Sequence, residues 1–212
     1  MAFDRTALLL TGFQNDFCHP RGALASAGRD IGMIERMLPA TQRLLAAARD
    51  AGLIVLHVAE LTLAGGLSDS KAWAQRRAAA DGAGQVALER SWGQRFLEGL
   101  EPRPDELAVT RFRPTSLSDA RTEVLLRSSG ARRLVVAGVE THLAVLATVV
   151  DAACRDYEVL VPADCIAGTR PDLHDATLAL LPTWATIVTS ADLAVQWSAP
   201  AGGRSAAGER QG

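Results

Sequence analysis

Six short, unbroken apolar runs punctuate the chain: Ala7-Leu8-Leu9-Leu10, Leu53-Ile54-Val55-Leu56-His57-Val58, Leu107-Ala108-Val109, Leu134-Val135-Val136-Ala137, Val159-Leu160-Val161 and Thr186-Ile187-Val188. Runs of this length without polar alternation read as strands buried on both faces. Between them, apolar positions recur at helical spacing. Residues 32–51 carry Ile34, Met37, Leu38, Leu44, Leu45 and Ala48 on one side and end at Gly52, a helix-stop residue. Similar patterns cover about 117–129, 142–155, 172–181 and 190–197. The alternation predicts an α/β fold: a three-layer, doubly wound, six-stranded parallel sheet with helices on both faces and right-handed crossovers. One domain, residues 1–197, accounts for it. The Gly-, Ala-, Ser- and Arg-rich stretch 198–212 has no apolar period and is expected to be a disordered tail.

Ligands of such sheets bind beyond the carboxyl ends of the strands, near the reversal of strand order. That directs attention to residues 11–19, 57–62, 110–116, 138–145 and 162–168. The excursion 60–105 between the second and third strands, with a helical pattern over Lys71–Ala80, is placed to form a lid or edge of a pocket.

Composition narrows the classes. The 212 residues are 48% hydrophobic and 22% charged, with a net charge of −2. Neither sign dominates, which argues against general binding to nucleic acid or a membrane surface. No apolar run reaches the roughly 18 residues of a spanning helix. The N-terminus lacks a secretion signal, and Cys18, Cys154 and Cys165 show no pair spacing, so a reduced, cytoplasmic protein is expected. There is no glycine-rich dinucleotide loop after the first strand, no phosphate-loop lysine and no serine nucleophile elbow. His19, His57, His142 and His174 are not at zinc-ligand spacing. No cofactor and no metal are therefore expected.

Residues 8–24, Leu-Leu-Leu-Thr-Gly-Phe-Gln-Asn-Asp-Phe-Cys-His-Pro-Arg-Gly-Ala-Leu, and 138–148, Gly-Val-Glu-Thr-His-Leu-Ala-Val-Leu-Ala-Thr, each follow a predicted strand. Together they resemble the isochorismatase-like cysteine hydrolases. The likeness continues through Ser91-Trp92-Gly93, Leu107-Ala108-Val109-Thr110-Arg111, Val161-Pro162-Ala163-Asp164-Cys165 and His174, and covers about residues 5–197. The resemblance implies the isochorismatase-like hydrolase fold, a cis peptide in the loop after the fourth strand, and assembly as a homodimer or tetramer. It also implies a triad: an Asp after the first strand, a Lys after the third and a nucleophilic Cys after the fourth. Aligned on the two motifs, those positions hold Gly12, Arg111 and Ala144.

The consequences are chemical. Ala144 has no nucleophilic atom. Gly12 has no proton acceptor, and its missing side chain is expected to leave space beside the missing thiol. Arg111 stays protonated at any working pH but can grip a carboxylate with two parallel bonds. Ordinary cysteine hydrolysis is therefore not expected. Candidate catalytic residues are Arg111, Glu140 and His142, the last two flanking Thr141 at the mouth of the fourth helix. Candidate ligand contacts are Gly12, Phe13, Gln14, Glu60, Trp92, Phe112 and Ala144. Cys18 could serve as a relocated nucleophile only with a base and a helix end aimed at substrate.

Three readings remain open. The first is a repurposed catalyst that binds a small metabolite, carboxylated if Arg111 is a clamp, and promotes a cyclisation, isomerisation, elimination or decarboxylation. The second is a non-catalytic binding, scaffolding or regulatory subunit. The third is a hydrolase whose water-activating groups have moved.

Overall fold

The computed structural model describes residues 5–81 and 85–198; of the expected tail 198–212, Ser198 closes the last helix and the remainder lies outside them. All six apolar runs are strands: β1 (Thr6–Thr11), β2 (Ile54–Glu60), β3 (Leu107–Arg111), β4 (Arg133–Gly138), β5 (Glu158–Pro162) and β6 (Thr186–Val188). They pair in parallel in the order β3-β2-β1-β4-β5-β6. The order reverses between β1 and β4, so the crevice at the switch lies beyond Thr11 and Gly138, which are register partners.

The helices are α1 (Asn15–Cys18), α2 (Ala23–Ser26), α3 (Gly32–Asp50), α4 (Lys71–Asp81), α5 (Ala120–Ser128), α6 (Leu146–Ala153), α7 (Pro171–Leu180) and α8 (Ser190–Ser198). Their ends follow local chemistry. Asp119 caps α5 by accepting from the Arg121 N–H. Pro171 starts α7, where its missing donor costs nothing. Gly52, just past the end of α3, has φ +65°. The two four-residue helices after β1 carry no periodicity long enough to read from the sequence.

Alternate residues of each strand feed opposite cores. Leu8, Leu10, Val135 and Ala137 join Ile34, Leu44 and Leu45 of α3 and Leu193 and Trp197 of α8 on one face. Ala7, Leu9, Leu134 and Val136 join Leu126 of α5, Val149 of α6 and Leu181 on the other. No helix of the described residues is long and apolar enough to cross a membrane.

Candidate functional site

The loop after β1 is built around two fully committed polar side chains. Gln14 is completely buried. Its amide donates to the carbonyls of Glu60 (2.9 Å) and Gln94 (2.8 Å), and its oxygen accepts from the Glu60 N–H (2.6 Å). The expected ligand contact by Gln14 is thus replaced by a backbone clamp that fixes the end of β2. Asp16 accepts from the N–H groups of Ala23 and Ala87 and sits against Gly93, where a Cβ would meet its carboxylate at 2.1 Å. The Ser91-Trp92-Gly93 segment is therefore tied to the first loop by close packing.

The loop after β4 begins with a cis peptide between Val139 and Glu140. A wide turn over Thr141–Val145 follows, in which the Val145 N–H reaches back to the Glu140 carbonyl at 3.1 Å. This turn, absent from the sequence reading, aims Ala144 at the crevice. Glu140 is buried and accepts from the Thr169 N–H at 2.9 Å. His142 Nδ1 lies 3.6 Å from Glu140 Oε2, and burial together with the nearby Arg170 pushes the imidazole pKa down. His174 Nδ1 lies 2.9 Å from the Thr141 hydroxyl, and burial depresses its pKa too.

Between these loops lies a small cavity walled by Phe17, Leu24, Glu60, Trp73, Arg77, Arg111, Pro114, Val139, Glu140, Leu143 and Ala144. About 30 Å³ of it is open to the centres of water molecules, room for roughly two waters. Arg111, at the end of β3, is 2% exposed; its Nη1 donates to Glu60 Oε2 at 3.0 Å and to the Arg113 carbonyl at 2.8 Å. Burial lowers its pKa while Glu60 opposes that shift, and its Nε has no acceptor. Arg77, on α4, donates to Asp69 Oδ2 and to the Thr62 hydroxyl, each at 3.0 Å.

Of the residues singled out from the sequence, Glu60, Arg111, Glu140 and Ala144 meet at this cavity. The others do not wall it. Phe13 is 1% exposed and belongs to the α3-side core. Trp92 is 39% exposed and stacks edge-on with His19, with the Arg21 guanidinium over its ring. Phe112, one residue past the end of β3, is exposed and does not line the cavity. His142 is half-buried beside Glu140, outside the wall.

Gly12 overturns its expectation most sharply. It leaves no space: φ is +74°, and an added Cβ would stand 2.3 Å from the Val139 carbonyl oxygen. Cys18 is buried with its thiol directed at the Gly12 carbonyl at 3.7 Å, and burial drives its pKa far up. That is the opposite of a reactive thiol.

The sequence reading missed Phe17, Leu24, Trp73, Arg77, Pro114 and Leu143. Trp73 and Arg77 had a usable signal: four residues apart on the expected lid helix, they share one face. Among the described residues no group of three or more His, Cys, Asp or Glu side chains could hold a metal ion.

The model of the isochorismatase domain matches residues 6–192. A ureidoacrylate amidohydrolase RutB of Methylobacterium radiotolerans is 29% identical over 93% of this chain and 83% of its own length. The protein of the same name in Caulobacter vibrioides is 26% identical over 79% of each. Among solved structures, an isochorismatase family protein of Desulfovibrio vulgaris superposes with a TM-score of 0.77 at 26% identity, covering 92% of this chain and 98% of that one. A cysteine hydrolase of Pseudomonas syringae pv. phaseolicola gives 0.78 at 21% identity over 92% of each, a likeness of fold.

Proposed function

Because this chain belongs to the isochorismatase family, we propose that it keeps the family's crevice as a small-molecule site but works there without covalent capture, promoting a non-hydrolytic step. The observation that carries this reading is the cavity wall. The turn after β4 presents Leu143 and Ala144 to the cavity, no thiol or hydroxyl among the described residues lines it, and the nearby Cys18 is held by burial as an inert thiol. The amidohydrolases named among the relatives act on a carbon–nitrogen bond. This chain, on our reading, has lost the group that would attack it.

The charged groups that remain support proton movement rather than acyl transfer. Glu60 and Arg111 form an ion pair 3.0 Å apart on the wall, one oxygen of Glu60 being bound to Arg111. Glu60 takes a proton from one atom of the bound molecule and returns it to another, while Arg111 stabilises the charge that develops in between. Glu140 braces the Thr169 backbone, which leaves Glu60 the better placed acid–base group. The water-excluding apolar residues Phe17, Leu24, Val139 and Leu143 strengthen those interactions.

A second reading, binding without turnover, is favoured by the cavity's small volume. One experiment separates them. The purified protein is denatured, the released small molecule identified by mass, and that molecule incubated with fresh protein in ¹⁸O-labelled water. A product without solvent oxygen supports the non-hydrolytic step, and an unchanged molecule supports binding alone. Incorporated ¹⁸O, or a covalent adduct on the protein, overturns both.

A further inference from the structure

We propose that Glu60 sets the charge of the ligand: by neutralising Arg111 it makes the cavity select an uncharged molecule over the matching carboxylate. This rests on the reading that the cavity binds a small molecule, and it departs from the expectation that Arg111 is an anion clamp.

The charges on the wall carry the inference. Among the described residues two guanidinium groups face the cavity, Arg111 and Arg77. Each already has a carboxylate: Glu60 on Arg111 at 3.0 Å and Asp69 on Arg77 at 3.0 Å. Arg113 adds a cation 3.8 Å from that same Asp69, with its guanidinium over the Trp73 ring, but it does not line the cavity. Glu140 contributes a further carboxylate to the wall. The wall itself thus holds two positive and two negative groups, with Asp69 directly behind. A bound carboxylate would meet no surplus of positive charge and would be repelled by Glu60 and Glu140 across a small cavity with few waters to screen them.

The hydrogen-bonding groups fit an uncharged ligand. Arg111 Nε and Trp73 Nε1 are buried donors without acceptors, both on residues that wall the cavity. A carbonyl oxygen satisfies such donors without adding a charge. The remaining wall is apolar, through Phe17, Leu24, Pro114, Val139, Leu143 and Ala144. Arg111 therefore acts as one half of a neutral pair, and Glu60 decides whether its charge is available.

The test uses formamide and formate, equal in size and differing in charge, small enough for the cavity and titrated at neutral pH by ligand-detected NMR. Wild-type protein is expected to bind formamide at least about tenfold more tightly. Glu60→Gln keeps the backbone N–H and carbonyl that Gln14 clamps and frees Arg111; formate is expected to gain at least about tenfold and the preference to reverse. Trp73→Phe keeps the ring and removes the N–H, and is expected to weaken formamide about fivefold. Formate bound as well as formamide by the wild type overturns the inference while leaving a small-molecule site in place. So does a Glu60→Gln protein with wild-type preference. If that variant does not fold, the wild-type comparison decides alone. Neither probe binding to any folded form removes the small-molecule reading itself.

Discussion

At position 12 the backbone turns through φ +74° with the Val139 carbonyl oxygen 2.3 Å from where a Cβ would stand. Two costs coincide there, a left-handed conformation and a backbone collision, and neither can be relieved by rotating a side chain. Gly12→Ala is expected to lose about 1–3 kcal/mol of stability, read from urea unfolding. Thiol chemistry gives a second prediction at this scale. Cys154 is exposed, whereas Cys18 and Cys165 are buried, the latter with its pKa pushed up to about 12 by burial and the adjacent Asp164. Native protein treated with iodoacetamide at neutral pH should gain one alkyl group, on Cys154, and three only after unfolding, as read by intact mass. Rapid modification of Cys18 would contradict the buried site. These residues also show where the sequence was opaque. Gln14 and Asp16 were visible as a motif, but their role was not, because a side-chain amide spent on backbone carbonyls and one spent on substrate have identical letters. Gly12 read as an absence, and only the neighbouring carbonyl reveals it as a requirement.

Elements meet through buried charge away from the cavity. Glu106, at the entrance to β3, accepts from Arg49 near the end of α3 at 2.6 Å and lies 3.0 Å from His57 Nε2 in the middle of β2. Hydrogen bonds from Arg49, the Arg103 backbone and His57 outweigh burial, which acts in the opposite direction, and bring the Glu106 carboxyl down to about 2. Burial lowers the His57 pKa despite its contact with Glu106. Both shifts mean that the folded state holds fewer protons than the unfolded chain. Stability from His57 is complete above its ordinary value of 6.5 and declines as pH falls below it. That from Glu106 is complete above its ordinary 4.5 and declines as pH falls toward about 2. His142 and His174 shift in the same direction and deepen the first decline. Urea midpoints measured against pH should therefore fall in two steps on acidification. Glu106→Gln should flatten the lower one and cost about 1–3 kcal/mol at neutral pH. His57 lies within an apolar run, in the middle of β2, and its letter alone allowed both a core histidine and a functional one. The structure makes it a core histidine whose partner comes from a loop 49 residues away, a separation no local pattern encodes.

Across the whole molecule, the six strands and their parallel, doubly wound arrangement were legible because continuous apolar runs alternating with amphipathic segments admit few topologies, whereas the order of the strands was not read from the sequence. What the pattern could not convey is how closely the two strands at the switch approach. Gly138 would place a Cβ 2.3 Å from the Thr11 carbonyl oxygen, as Gly12 would against Val139, so β1 and β4 touch backbone to backbone where the site begins. On the proposed reading, a thiol at position 144 alone would not restore covalent chemistry, because the main chain leaves no room for a side chain at position 12. Replacing Ala144 alone tests this. Ala144 is 3% exposed on the cavity wall, so a cysteine is a small enlargement that should cost about 1 kcal/mol or less. With no side chain at position 12 to take its proton, the new thiol should titrate at about 8.5 or above in an alkylation-rate profile, with the reaction of Cys154 removed by Cys154→Ser. Amide and nitrile substrates should remain uncleaved and leave no adduct by intact mass. Adding Gly12→Asp to that variant should lower the urea midpoint further rather than restore hydrolysis, because its Cβ would collide with the Val139 carbonyl oxygen in a left-handed backbone. A low thiol pKa in Ala144→Cys would mean instead that Arg111 retains free positive charge in spite of Glu60. That would undo both the closed-main-chain account and the neutral pairing proposed for the cavity.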